Sequence, residues 1–294
     1  MTSIAPTRQA LPDAWSETPD ELRRRARRLR ATCIRMAHDG REGHLKSTLS
    51  CIDLLAVLYS GWLRVSPATT RDPNRDRFLL SKGHAVTALY AVLADRGFID
   101  PAILGSYAKP GSPLPNHACR HALAQLEISS GSLGHGLGMG AGMLYGMRMD
   151  KHDGRVVVLM SDGECNEGSV WESAMFAAAH RMDRLVAIVD NNNMQAVGRT
   201  DELTGHTSFE EKFRAFGWAA RTIDGNDVEQ IAKALAAVPF ESGRPTAIIA
   251  RTVAGAGVSF MEDQLLWHYR VPSADDLERA LAELGEAPLH LGAS

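Results

Sequence analysis

At 294 residues the chain has room for one large domain or two small ones, and it can bury about three quarters of the surface its unfolded form exposes, so it needs no staples. Apolar content of 45% and charged content of 23% are those of a soluble globular protein, and a net charge of −3 argues against a nucleic-acid binder. The four cysteines form no C-x-x-C pair, no apolar run reaches membrane-span length and the N-terminal stretch lacks a signal-peptide core, so free thiols and a cytoplasmic location are expected.

Residues 1–17 read as a mobile leader before a domain over residues 18–294. Thr18 and Pro19 offer a cap and a first turn for a helix ending near Gly40. Leu22, Ala26, Leu29, Cys33 and Ala37 line one face at helical spacing, so the arginine run from Arg23 to Arg30 reads as the solvated face. Leu49 to Leu63 is a second helical pattern; Arg77–Leu80 reads as a short strand running into Ser81-Lys82-Gly83-His84, and residues 85–97 return to helix. Residues 108–121 carry three prolines and no periodicity, which marks a loop. In the Gly- and Met-rich stretch from Gly131 to Met149, Gly138, Gly140, Gly142 and Gly146 fit a helix packed closely on a neighbour; the opening Gly131-Ser132-Leu133-Gly134 does not.

Strands and helices then alternate: strand 155–160, helix 168–180, strand 185–190, a helix from Ser208 to Gly217, strand 218–223, helix 227–238, strand 246–251 and a final helix. Capping boxes are expected at Ser208 with Glu211 and at Ser273 with Asp276. Strands separated by helices imply a mainly parallel sheet covered on both faces, a three-layer α/β/α fold.

Asp162-Gly163 follows one apolar run and Asn191-Asn192 another. In a right-handed βαβ unit both sites lie at the same carboxyl edge of the sheet, where open α/β sheets bind ligands. A carboxylate, an amide oxygen and a backbone carbonyl form a hard oxygen set suited to Mg²⁺ or Ca²⁺, and Mg²⁺ usually shares its shell with phosphate oxygens. Gly163 permits close backbone approach and a following helix N-terminus favours an anion, so the residues read as a metal–diphosphate site.

Asp-Gly followed about thirty residues later by Asn-Asn resembles the thiamine diphosphate motif. Gly43-His44, Ser81-Lys82-Gly83-His84-Ala85, Leu114-Pro115-Asn116-His117, Gly131-Ser132-Leu133-Gly134, the run from Thr252 to Glu262 and Trp267-His268 occur in transketolase order. Together they resemble the diphosphate-binding (PP) half of a transketolase over roughly residues 20–290. The resemblance implies that Asp162, Asn192 and the Met194 carbonyl hold Mg²⁺. It places Gly163, Glu164, His84 and His268 on the cofactor, with His84 and His268 at the diphosphate or thiazolium. Gly131 and Leu133 would meet the aminopyrimidine through backbone groups, and His44 and His117 would face substrate hydroxyls. Glu167 and Glu172 resemble acidic residues linking paired active sites.

Ser161, Asn116, Ala118, His135, Lys46 and Tyr269 depart from the family's usual residues. Lys46, two residues after His44, is expected either to reach the substrate channel and select an anionic acceptor or to be a surface lysine. The resemblance implies transfer of a two-carbon ketol unit with thiamine diphosphate and Mg²⁺, active only with a pyrimidine-binding (PYR) subunit in an α2β2 assembly, because the chain stops after the PP half. Alternatives are a specialised biosynthetic acyloin or ketol transferase, a 2-oxo acid dehydrogenase subunit, and a degenerate domain that only binds a partner.

Overall fold

The computed structural model describes residues 17–205 and 207–287; the expected leader, except Glu17, lies outside them. Helix α1 (Pro19–Gly40) opens on a full capping box: Thr18 accepts from the Glu21 amide at 3.3 Å and Glu21 accepts from the Thr18 amide at 2.7 Å. It ends at Arg41 in the left-handed region, φ 54°. Leu22, Ala26, Leu29, Cys33 and Ala37 are buried as expected. Arg30 is not on the solvated face: it is buried and paired with Asp53, while Arg23, Arg24, Arg27 and Arg28 are exposed. Arg30 lies four and eight residues after Ala26 and Leu22, so helical spacing puts it on the apolar stripe.

The expected Leu49–Leu63 helix is three shorter pieces: α2 (Leu45–Ser50), α3 (Ile52–Val57) and a π-helical turn over Leu58–Trp62 containing Gly61 at φ 127°. The start at Leu45 follows from His44, whose left-handed backbone, φ 65°, cannot continue a helix; the break falls at Cys51, whose own backbone leaves the helical region at φ −100°, ψ 7°. Strand β1 (Arg77–Leu80) leads to α4 (Val86–Asp95), and α5 covers Gly136–Met149. Thereafter come β2 (Val156–Ser161), α6 (Gly168–Ala179), β3 (Leu185–Asn191), the short α7 (Thr200–Thr204) and α8 (Phe209–Ala215). The chain continues through β4 (Ala219–Asp224), α9 (Val228–Ala236), β5 (Thr246–Arg251) and α10 (Ala274–Leu284). The expected box closes at Ser273–Asp276, whereas at α8 Ser208 accepts from the Glu211 amide at 3.2 Å, one half of a box.

The five strands form one parallel sheet in the order β1-β2-β3-β5-β4. Side chains alternate across it. Val157, Leu159, Val186 and Ile188 join one core with α1, α3, α4, α9 and α10; Val156, Val158, Met160, Leu185 and Val189 join the other with α5, α6 and α8. Each such side chain contributes about 1.5–3 kcal/mol by leaving water. Of the α5 glycines, Gly140 lies so close to β2 that a Cβ there would stand 2.7 Å from Val158 Cγ2. Gly142 and Gly146 face open space, so close packing within the described residues does not account for them. Instead α5 and α6 expose Met139, Tyr145, Met149, Met175 and Phe176. Among the described residues no helix is long and apolar enough to cross a membrane, and all four cysteines are free.

Candidate active site

Parallel pairing sets Ser161 opposite Asp190, so the chain leaves β2 and β3 side by side. Asp162 is fully buried; its Oδ1 accepts from the Gly163 amide at 2.9 Å and its Oδ2 from the Thr200 hydroxyl at 2.8 Å. Burial raises its pKa to about 6, against the opposing pull of the Thr200 hydrogen bond. Asn192 Oδ1 accepts from the Met194 amide at 3.0 Å, while its Nδ2 donates to Ser50 Oγ at 3.3 Å and Asp190 Oδ2 at 3.4 Å. These bonds fix which end of the amide is oxygen. Asn193 makes the turn with φ 57°, a conformation Asn tolerates, and Met194 bridges to Arg199. A Cβ on Gly163 would stand 3.0 Å from Gln195 Cγ, so this position favours glycine.

Asp190 anchors the loop from below. Its buried carboxylate accepts from the Ser50 hydroxyl at 2.6 Å, from the Lys82 ammonium and from the Thr252 hydroxyl, tying the end of β3 to α2, to the β1 exit and to the β5 exit. Burial alone would pull the Lys82 pKa down, but the adjacent Asp190 holds it above its ordinary value. Lys82 also donates to the Ser47 carbonyl at 2.7 Å. None of Ser47, Ser50 and Thr200 stands out in sequence; Lys82 inside Ser-Lys-Gly-His, Asp190 opening Asp-Asn-Asn-Asn and Thr252 opening the run to Glu262 are the available signals.

The four singled-out histidines, from segments far apart in sequence, converge. His44 lies 5.5 Å from His84, 5.9 Å from His117 and 5.1 Å from His268 between ring centroids, and His84 lies 5.9 Å from His268. His44 is held by its left-handed backbone and by its amide, which donates to the His268 carbonyl at 2.7 Å. Ser47 Oγ and His84 Nε2 are 2.8 Å apart. Burial first, then neighbouring positive charge, lowers the pKa of His44, lowers that of His84 strongly and brings His268 to about 4. The shifts favour the neutral form of all three rings, most strongly for His84 and His268. Gly131, at φ 147°, would bring a Cβ to 3.1 Å from His117 Cδ2, so only glycine leaves that ring its place. Tyr269 packs edge-on against His268 at 4.5 Å.

The acidic candidates separate. Glu164 is buried and links three segments, accepting from the Ser81 hydroxyl, the Gly134 amide at 2.9 Å and the Ser161 amide at 3.4 Å. The Ser161 hydroxyl in turn accepts from the Glu164 amide at 3.2 Å, which gives that departure a local role. Glu167 and Glu172 are exposed on the α6 side, Leu133 is half-buried and His135 is exposed. Lys46 is not a surface lysine: it is 1% exposed, and its ammonium donates to the Gln195 carbonyl at 2.8 Å.

The family model described as the thiamine diphosphate binding domain of transketolase matches residues 22–290. The chain belongs to the transketolase family. It is 37% identical over 257 residues to one subunit of an apulose-4-phosphate transketolase from Phocaeicola vulgatus, covering 87% of this chain and 91% of that protein. It is 37% identical over 242 residues to 6-deoxy-6-sulfo-D-fructose transketolase subunit SqwG of a Clostridium species, covering 82% and 88%. A solved transketolase from Campylobacter jejuni matches with a TM-score of 0.85 at 28% identity, over 91% of this chain and 43% of that one. The chain thus spans less than half the length of that transketolase, and nearly all of the two subunits.

The family model names thiamine diphosphate as the group its domain binds. Among the described residues no three His, Cys, Asp or Glu side chains converge to hold a metal, so the metal donors on offer are one carboxylate, one amide oxygen and backbone carbonyls. That hard, singly charged set fits Mg²⁺ only with further oxygens such as those of a diphosphate. Beside it, the buried His268 Nδ1 and Gln195 Nε2 have no hydrogen-bond partner among the described residues. Orphaned buried polar atoms are rare, and these fit an anionic ligand.

Proposed function

We propose that this chain is the PP subunit of a split transketolase: with Mg²⁺ and thiamine diphosphate it transfers a two-carbon ketol unit from a ketose donor to an aldose acceptor. The observation that supports this best is the convergence of His44, His84, His117 and His268 near the Asp162–Asn192 loop. Membership of the transketolase family favours this reading over a 2-oxo acid dehydrogenase subunit, and the retained metal donors and histidines speak against a degenerate domain. The named substrates of the two subunit relatives, apulose 4-phosphate and 6-deoxy-6-sulfo-D-fructose, support a phosphorylated or sulfonated sugar and a specialised pathway. The proposed setting is cytoplasmic.

When bound, thiamine diphosphate supplies the carbanion chemistry that cleaves and rebuilds the ketose carbon–carbon bond. Asp162, Asn192 and the Met194 carbonyl would hold Mg²⁺, with Gly163 leaving room for the diphosphate. His84 and His268 would donate to the cofactor, and Glu164 would hold the Ser81 and Gly134 segments around it. Gly131 and Leu133 would offer backbone groups to the aminopyrimidine. His44 and His117 would bind the sugar hydroxyls, and neutral His44 can take a proton from one of them. Glu167 and Glu172, exposed beside the apolar face of α5 and α6, would link paired sites across the assembly.

That apolar face and the subunit relatives support a PYR-type partner in a two-fold assembly with two copies of each chain. Calorimetry with thiamine diphosphate and Mg²⁺, followed by ketol-transfer assays, tests the proposal. Weak binding and no turnover by the chain alone, and both gained on adding the partner, are expected. Steady-state turnover by the chain alone would refute the dependence on a partner; no binding with the partner present would refute the enzyme.

A further inference from the structure

Lys46 is the one buried cation near the site for which the described residues supply no ion pair. Lys82, equally buried, is neutralised by Asp190, and Arg30 by Asp53. The Lys46 ammonium has a single hydrogen bond, to the Gln195 carbonyl at 2.8 Å, although it carries three protons. A buried charge left so short of partners is costly unless something anionic completes it.

Its surroundings indicate what that is. The Lys46 carbonyl accepts from the Gly255 amide at 2.9 Å, which ties the residue to the 252–257 loop. Its side chain reaches the metal loop at Gln195, one residue beyond Met194. Gln195 Nε2 and His268 Nδ1 are buried without partners among the described residues. Ser47, the next residue, has its hydroxyl 2.8 Å from His84 Nε2, while the Lys46 ammonium reaches Gln195, so this turn of α2 joins the histidine cluster to the loop that carries Asn192. Surplus donors of three kinds therefore gather beside a single carboxylate.

We infer that Lys46 binds the diphosphate group of the cofactor, with the Gln195 amide and His268 as co-donors, and does not select the substrate. The inference rests on the functional reading above and adds a ligand to it. It also accounts for a lysine two residues after a substrate-facing histidine: the two side chains serve opposite ends of the site.

Magnesium pyrophosphate is the probe, because it carries the diphosphate without the rings that a partner would cover. Calorimetric titration of the full chain compares wild type, Lys46→Met and Lys46→Arg, with thermal melting of each apo protein as the fold control. Lys46→Met is expected to weaken pyrophosphate binding by about 10- to 100-fold, the scale of a charge-assisted hydrogen bond, and Lys46→Arg to recover part of it. The apo melting temperature of Lys46→Met should hold or rise, because an uncompensated charge leaves the interior. If that variant folds poorly, Lys46→Gln, which keeps a donor for the Gln195 carbonyl, carries the same comparison. Affinity within about twofold of wild type in a folded variant overturns the inference and leaves the function standing. So does a raised KM confined to phosphorylated acceptors in the reconstituted enzyme with pyrophosphate binding intact. Failure of the wild-type chain to bind either pyrophosphate or, with its partner, thiamine diphosphate overturns both readings.

Discussion

Asp162 carries opposite demands in the free and loaded protein. Its pKa of about 6 lies above the ordinary 3.8, so the folded apo chain holds this proton more tightly than the unfolded chain does. The Asp162 contribution to apo stability is therefore full below about pH 4 and fades as pH rises through about 6, and Asp162→Asn should flatten that part of a melting-temperature profile. Metal binding needs the carboxylate and runs the other way: magnesium pyrophosphate affinity should fall by about tenfold per pH unit below pH 6. Asp162→Ala should abolish metal-dependent cofactor binding with the circular dichroism spectrum preserved, since the residue lies past the end of the strand. Retained binding would remove Asp162 from the metal site. At this scale the sequence is informative where chemistry depends on residue type in a motif, as with the four histidines and the Asp162–Asn192 pair. It is silent about Ser47, Ser50 and Thr200, whose roles come from hydrogen bonds between segments far apart in the chain.

Elements read well wherever burial dictates pattern. Strands β2, β3 and β5 are apolar on both faces, and their expected and observed limits agree within a residue. The second helix reads poorly, because its start is set by the left-handed backbone of His44 and its breaks lie at Cys51 and Gly61, which apolar spacing does not register. Arg30 misleads for a different reason: the arginine run signals charge, while helical phase decides which of its members is buried. Its Nε donates to the Ala256 carbonyl at 2.7 Å, and a Cβ on Gly257 would stand 2.7 Å from its Cδ, so α1 shapes the loop that follows β5. Asp53 in turn accepts from Asn226, whose Oδ1 accepts from the Val253 amide at 2.8 Å. Arg30→Met should therefore destabilise the chain by about 3–5 kcal/mol, the cost of stranding a buried partner charge, measured by denaturant unfolding. The double change Arg30→Met with Asp53→Leu should recover most of that loss. A loss below about 1 kcal/mol for the single variant would mean that the pair does not hold the loop.

For the whole molecule, the exposed apolar face of α5 and α6 is the surface proposed to meet the partner. Gly142 and Gly146 leave the α5 surface flat between Tyr145, Met149, Met175 and Phe176, which suits close approach by another chain. Replacing Tyr145 and Phe176 together by Glu should abolish activation by the partner. The melting temperature should move by no more than about 2 °C, because exposed positions rarely carry stability. Magnesium pyrophosphate binding by the chain alone should be unchanged. Size-exclusion chromatography of the mixed chains reads the outcome; co-elution of the doubly changed chain with its partner would place the interface elsewhere.

The sheet order has a kinetic consequence. Every strand pairs in parallel, so no ladder can start from a hairpin, and β4 has no neighbour until β5, made later in the chain, inserts between it and β3. Arg77 must also find Val156 across everything between them. Such non-local closure slows folding. The Thr252 hydroxyl reaches Asp190 only once β5 is seated, so the floor of the loop that carries Asn192 is completed at the end of the process. In stopped-flow refolding, helical signal should therefore return before the chain can capture magnesium pyrophosphate. During that interval the protein would hold most of its secondary structure and none of its ligand affinity, a window in which a nascent chain is shaped but not yet competent.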